Sequence, residues 1–334
     1  MIEYIAYIFL FSLGFITLLT ENKSILKYLY IPFVFVFMLI VRLNAFVLGG
    51  NEKDILTYAI EMKNLSFSFY YVREFIFWNG IQLVYALVQS ELVTFILLDY
   101  CWIRILLKTA NLNDDKQLAS GFVVVLMTSF PFFFGYENIY RQFFAGIVLL
   151  YAYAHLKENE LKSWRLFIVS IFIHNLSLFL LPIFILKKNM SFGIKDRVII
   201  SLVLSIFIVF SIPLLLHFKS TGSTGLNLSI LYFLLFSCFL GLFLYKFKDN
   251  ILHILGLMPS LLPSVVLMMG FILFKQEMIT ERVGMLFIIF LIYDLYAYSS
   301  LLVNKLTRVA FRILLLLLFG VPVFVFRSSL DFLF

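Results

Sequence analysis

The chain has 334 residues, of which 63% are hydrophobic, 19% aromatic and only 13% charged, with a formal net charge of +7 and a mean hydropathy of +1.03. A water-soluble domain carries about 25% charged residues, so this composition excludes a soluble fold. The positive excess is spread over short loops and forms no basic stripe interleaved with aromatics, which argues against a nucleic-acid partner and fits the cytoplasmic loops of a membrane protein.

Apolar runs fall at 2–20, 29–48, 74–90, 92–107, 118–135, 141–157, 164–186, 198–216, 228–245, 253–274, 283–303 and 311–327. About 20 helical residues at ~1.5 Å each cross a ~30 Å hydrocarbon core. The runs therefore predict an all-α, polytopic integral membrane protein with about 10–12 transmembrane helices, and not the short alternating strands of a membrane barrel. Residues 1–334 read as a single membrane domain. The first run has neither a basic leader nor a small-residue cleavage site and reads as a retained helix. Cys101 and Cys238 lie inside apolar runs and read as reduced packing residues.

The longest polar interruption is 49–73. Within it, 52–63 predicts an amphipathic helix that sets Asp54, Tyr58 and Glu61 on one face at i, i+4, i+7. If all twelve runs cross the membrane, the loop Lys and Arg divide 12 against 12 and give no orientation. If 74–90 does not cross and 164–186 breaks near His174 and turns back, the split becomes 16 against 8. That second arrangement puts loop 49–73, Arg141 and Arg282 together on the non-cytoplasmic face by the positive-inside rule, with re-entrant or broken helices lining a cavity.

Ionisable groups inside apolar segments cost about 2.5–3.5 kcal/mol each and so mark candidate sites. Arg42, near the end of the second run, either snorkels to the interface or faces a cavity as a phosphate ligand. Asn138, Arg141 and Gln142 share a helix face at i, i+3, i+4, with Arg141 either paired to Glu137 or functional. His174, Asn175 and Ser177 put three polar residues within four mid-membrane positions, where His174 is either a packing residue or a catalyst. Arg282 opens a late run beside Glu277 and Glu281, with an interfacial ion pair as the alternative. Asp54, Glu61, Arg73 and Glu74 belong to the long loop, where each taken alone reads as a solvated surface charge. Asp99 and Asp294, inside apolar runs, read as structural, pairing with Arg104 and nearby polar groups. The chain has no Asp-x-Asp, His-Glu-x-x-His, Cys-x-x-Cys, phosphate-cradling Gly loop or Gly-x-Ser-x-Gly, and its four His make a His-rich metal site improbable. No metal or other cofactor is expected.

An Arg in the second helix, then Gly50, Asp54 and Tyr58 spaced Gly-x-x-x-Asp-x-x-x-Tyr, then Arg73-Glu74 opening an apolar helix, resemble the start of the EpsG-like family. Asn138, Arg141, Gln142 and Ala145, about 30 residues before His174 and Ser177, are similar to that family's centre. The resemblance covers about residues 40–185. The family groups with Wzy-type polymerases of O-antigen and other surface polysaccharides.

The resemblance implies a bacterial inner-membrane glycosyltransferase of GT-C-like architecture whose site faces the periplasm or exterior. Such an enzyme transfers a glycan from undecaprenyl diphosphate to the non-reducing end of another lipid-linked repeat unit. Its partners would be the undecaprenyl-diphosphate-linked oligosaccharide, membrane lipids and a chain-length regulator protein. On that reading Arg141, Arg42, Arg282 and Arg73 bind the diphosphate. Asp54, Glu74 or His174 serves as base or orienter, and Asn138, Gln142 and Tyr58 position the substrate. Two other classes remain open: a lipid-linked oligosaccharide flippase, and a membrane-bound sugar acyltransferase.

Overall fold

The computed structural model describes residues 2–48, 53–64, 69–112, 119–137, 139–156, 158–187, 193–216 and 228–326, and every regular element among them is a helix. The protein is a polytopic helical membrane protein. Among the described residues, four helices are long and apolar enough to cross a membrane: Ile2–Thr20, Lys23–Phe46, Leu228–Lys246 and Lys305–Val325. Helices Lys248–Leu257 and Leu261–Leu273 qualify as a fifth span only when joined across an 83° bend.

This is fewer than the 10–12 spans the apolar runs suggest, and particular residues explain part of the shortfall. The helix Phe75–Val88 has 14 residues, about 21 Å at ~1.5 Å per residue, short of a ~30 Å hydrocarbon core. Glu91–Asn111 is long enough but carries Glu91, Asp99, Arg104 and Lys108. Run 118–135 is two helices, Ala119–Met127 and Phe130–Glu137. Their break at Thr128–Ser129 is made by Ser129, whose hydroxyl accepts the Phe132 N–H at 3.3 Å, and by Pro131 at the second position of the following helix, where a missing N–H is harmless.

The chain divides into two compact units. The first comprises Met1–His155, Leu161–Asn175 and Ser299–Phe334; the second comprises Leu156–Glu160 and Leu176–Tyr298.

In the first unit, Ile2–Thr20 turns Ile2, Ile5, Phe9, Ile16 and Leu19 outward and buries Tyr7, Leu10, Gly14 and Leu18. A helix apolar all round, with large exposed aliphatic groups, suits a lipid surround rather than water. Its inner face packs on the Ala119–Met127 and Lys305–Gly320 helices through small residues, as helices do where lipid removes the hydrophobic drive between them. A Cβ on Gly320 would lie 2.5 Å from Phe11 Cε2 and 3.0 Å from the Thr128 carbonyl oxygen. Gly320→Ala is therefore expected to lower stability by about 1–3 kcal/mol, read as a lower thermal midpoint of the purified protein in detergent. At the helix break Tyr7, from a neighbouring helix, donates to the Thr128 oxygen at 2.6 Å, and Tyr30 adds a bond at 3.2 Å to the Val124 oxygen, which already accepts the Thr128 N–H.

The two ends of the first helix differ chemically. At its start Glu3 accepts from Asn44 at 2.7 Å. At its finish Glu21, in a left-handed conformation with φ 50°, accepts from Arg308 at 3.2 and 3.3 Å and from Arg312 at 2.7 Å.

In the second unit, the bend between Lys248–Leu257 and Leu261–Leu273 falls at Met258–Ser260, where Pro259 disfavours the helical conformation of the residue before it. Asp294, buried on Glu277–Ser299, accepts the Ser260 N–H at 3.0 Å and so caps the restarted helix. Cys101 and Cys238 are both exposed on the outer helix surfaces rather than packed inside.

Candidate functional site

Three helix discontinuities in the first unit bring charged groups together. The first lies between Phe69–Arg73 and Phe75–Val88, where Glu74 is the N-cap residue of the second helix, with φ −121° and ψ 42°. Its carboxylate makes no bond to its own helix end and turns instead to Arg141. The second lies just before Tyr140–His155, which places Arg141 in that helix's first turn. A cation at the positive end of a helix dipole is unfavourable without an anion beside it, and Glu74 supplies one. The third is at His174. Helix Glu160–Ile173 closes with the His174 N–H bonded to the Ser170 oxygen at 2.9 Å, and a 3-10 stretch, Asn175–Leu180, follows. The chain thus breaks at His174, as its three polar residues suggested.

Glu74 is the hub. Arg141 donates to its Oε2, His174 Nε2 stands 3.8 Å from its Oε1, and Arg73 Nη2 stands 3.9 Å from the same oxygen. Glu74 is 1% exposed, while the side chains of Arg141 and Arg73 keep 12% and 36% exposure. One buried carboxylate therefore faces two permanently charged guanidiniums that reach toward the surface. Even with a neutral His174, the group carries a net positive charge.

Aromatic rings fix the Arg141 fork. Its Cζ lies 4.9 Å from the Tyr58 ring centre and 5.0 Å from that of Trp78. Tyr58 comes from Lys53–Lys63, the amphipathic helix the loop sequence predicts. Its exposed-side anchors are Glu61, which accepts from Tyr71, and Lys63, which pairs with Glu91. The Glu91 carboxylate holds the Lys63 ammonium above its ordinary pKa. That pair is largely solvated and adds little to stability.

The expected residues therefore divide. Arg141, Glu74, His174, Arg73 and Tyr58 are gathered in one place, and Gln142 lies buried in the same first turn as Arg141. Asn138 and the side chain of Asp54 lie outside the described residues. Arg282 lies on Glu277–Ser299 in the second unit. Trp78 was not anticipated, although its spacing of four from Glu74 puts both on one helix face and is a readable signal. Among the described residues no group of three or more His, Cys, Asp or Glu side chains converges as a metal site would.

Arg42, expected on the diphosphate, is set apart from this group. Its side chain is fully enclosed, at 0% exposure, and is held by Asp99 through Nε at 2.9 Å and Nη2 at 3.2 Å. Asp99 thus pairs with Arg42 and not with Arg104, whose guanidinium lies 5.9 Å from the Tyr100 ring centre. The same carboxylate accepts from Tyr136 at 2.7 Å, Tyr140 at 2.8 Å and Trp102 at 3.1 Å. Asp99→Ala would strand a buried guanidinium and is expected to cost about 3–5 kcal/mol, whereas replacing both charges, Arg42→Met with Asp99→Leu, should recover only the part due to the stranded charge, because Tyr140 and Trp102 still lose their acceptor. Thermal unfolding of the three variants in detergent reads the difference.

No family model matches the chain, and no match to it is found among the curated proteins or the solved structures.

Proposed function

We propose that this protein is a membrane-embedded glycosyltransferase that polymerises a surface polysaccharide, an O-antigen, capsule or exopolysaccharide, from undecaprenyl-diphosphate-linked repeat units. The observation that carries the reading is the Arg141–Glu74–His174 group with Arg73 beside it, gathered at three helix breaks in a polytopic helical chain. A GT-C-like framework, with shorter and broken segments completing a larger set of crossings than the long helices alone, is part of the same proposal. So is a place in the bacterial inner membrane.

The chemistry asks for what these residues offer. The donor sugar's anomeric carbon loses its bond to the diphosphate oxygen and gains one to the acceptor's hydroxyl oxygen. The leaving diphosphate takes up negative charge, which Arg141 and Arg73 neutralise without a proton changing hands. The acceptor hydroxyl gives its proton to a base. Glu74 serves once the donor diphosphate competes for Arg141 and releases its carboxylate, with His174 orienting it or relaying the proton. Tyr58 and Trp78 keep the guanidinium in place through the exchange.

The charge distribution of the first unit supports a non-cytoplasmic site. Lys63, Arg73 and Arg141 belong to the end holding Glu74, where Glu3 and Asn44 also meet. Lys23, Lys27, Lys108, Lys162, Arg165, Lys305, Arg308 and Arg312 belong to helix ends on the opposite side. On this proposal the second, more basic end faces the cytoplasm, in keeping with the positive-inside rule.

One observation favours a flippase as the second reading. The 83° bend capped by buried Asp294 is the kind of broken helix that transporters use for coupling sites. Deleting the gene separates the two. A missing polymerase leaves lipid bearing a single repeat unit on the outer leaflet, and a missing flippase strands that unit on the inner one. Full-length polymer in the deletion strain would contradict both readings.

A further inference from the structure

From the network around Asp99 we infer that Arg42, Asp99, Tyr136 and Tyr140 form a positioning clamp that sets the direction in which Arg141 leaves its helix. The inference rests on the reading of Arg141 as the diphosphate ligand and adds residues that never touch substrate. One carboxylate staples both sides of a helix break. Its Oδ2 accepts from Tyr136, in the last turn of Phe130–Glu137, and its Oδ1 from Tyr140, the first residue of Tyr140–His155.

The Arg42 guanidinium bonds both of those oxygens and lies over the same two rings, 3.9 Å from the Tyr136 centre and 5.0 Å from that of Tyr140. Tyr140 also meets Phe77, edge to face at 6.4 Å, on the helix that Glu74 caps. Successive helical side chains are separated by about 100° of rotation. Fixing the azimuth of Tyr140 therefore fixes that of Arg141, the next residue, against Glu74.

The chemistry of the clamp fits that task better than bulk stability does. A buried ion pair is often no more stabilising than apolar residues of the same volume. A fully bonded polar network, by contrast, permits one arrangement of the groups it joins. Tyr136 and Tyr140 bind the two helices to one point through hydroxyls that apolar packing would not need.

The test uses the full chain in nanodiscs with undecaprenyl-diphosphate-linked repeat unit as substrate, and compares Tyr140→Phe and Tyr136→Phe with wild type and with Arg141→Lys. Each Tyr→Phe change keeps its ring and removes only the hydroxyl. Turnover is expected to fall about tenfold to a hundredfold, as for an angstrom-scale displacement of a reacting group, with affinity for the donor diphosphate falling alongside it and the thermal midpoint dropping much less than in Asp99→Ala. In the Arg141→Lys background the same change should add almost nothing, because the planar fork that needs orienting is gone.

Wild-type turnover in both Tyr→Phe variants, or equal losses with and without Arg141, overturns the clamp. If wild type itself makes no polymer, the polymerase reading falls. Titration with inorganic pyrophosphate then decides the clamp: Tyr140→Phe weakens Arg141-dependent binding if the clamp holds, and leaves it unchanged if not.

Discussion

Arg141→Ala is expected to stop chain extension, leaving lipid with a single repeat unit and a polymer yield lower by about 10²–10³, the usual loss when a charge-stabilising donor is removed from a reaction centre. Gel separation of extracted glycolipids, normalised to the amount of variant in the membrane fraction, reads this directly. The normalisation matters because Arg141 is also the bonded partner of Glu74, whose carboxylate is 1% exposed. Stranding that charge would cost about 3–5 kcal/mol of stability. Arg141→Lys separates the two effects. An ammonium still neutralises Glu74 but lacks the bidentate fork, so the lysine variant should accumulate normally yet extend chains poorly. Normal long chains in Arg141→Ala would remove this residue from the reaction.

Glu74→Gln is expected to lower turnover by about 10²–10⁴, the range that proton transfer by a positioned base contributes. The amide matches the carboxylate in shape and still accepts from Arg141, but it takes up no proton at neutral pH. Donor binding should hold or tighten, because the diphosphate no longer competes with a carboxylate for Arg141. A loss confined to kcat is therefore the signature. His174, 3.8 Å from Glu74, gives the comparison: His174→Gln should be milder if the imidazole only orients Glu74. Wild-type turnover in Glu74→Gln with a dead His174→Gln would reverse the two roles.

The membrane character of the fold was readable from uninterrupted runs such as 2–20 and 228–245, where composition alone decides the solvent. The break at His174 was readable too, because three polar residues in four positions do not sit easily in a helix facing lipid. Other breaks hid inside apolar runs. Pro131 and Pro259 marked them, beside one or two small polar residues, Thr128–Ser129 and Ser260, too few to interrupt the apolar runs 118–135 and 253–274.

At the candidate site, the one-dimensional pattern identified charged residues without their partners. Glu74 and Arg141 are 67 positions apart, and Arg42 and Asp99 are 57. Arg42 and Arg141 both look like arginines near a membrane interface. Only tertiary packing separates the first, closed in by Asp99 and two tyrosines, from the second, which keeps an edge open. The division into two units also left no trace in composition, since both are equally apolar and no linker joins them.

The account is tested most directly by purified protein in nanodiscs supplied with undecaprenyl-diphosphate-linked single repeat units and no other enzyme. It predicts a ladder of longer lipid-linked glycans, one undecaprenyl diphosphate released for each bond formed, and no ladder with Arg141→Ala. Folded wild-type protein that binds the glycolipid yet yields only single repeats, under conditions where the substrate is extended by cell membranes containing the gene, would contradict it.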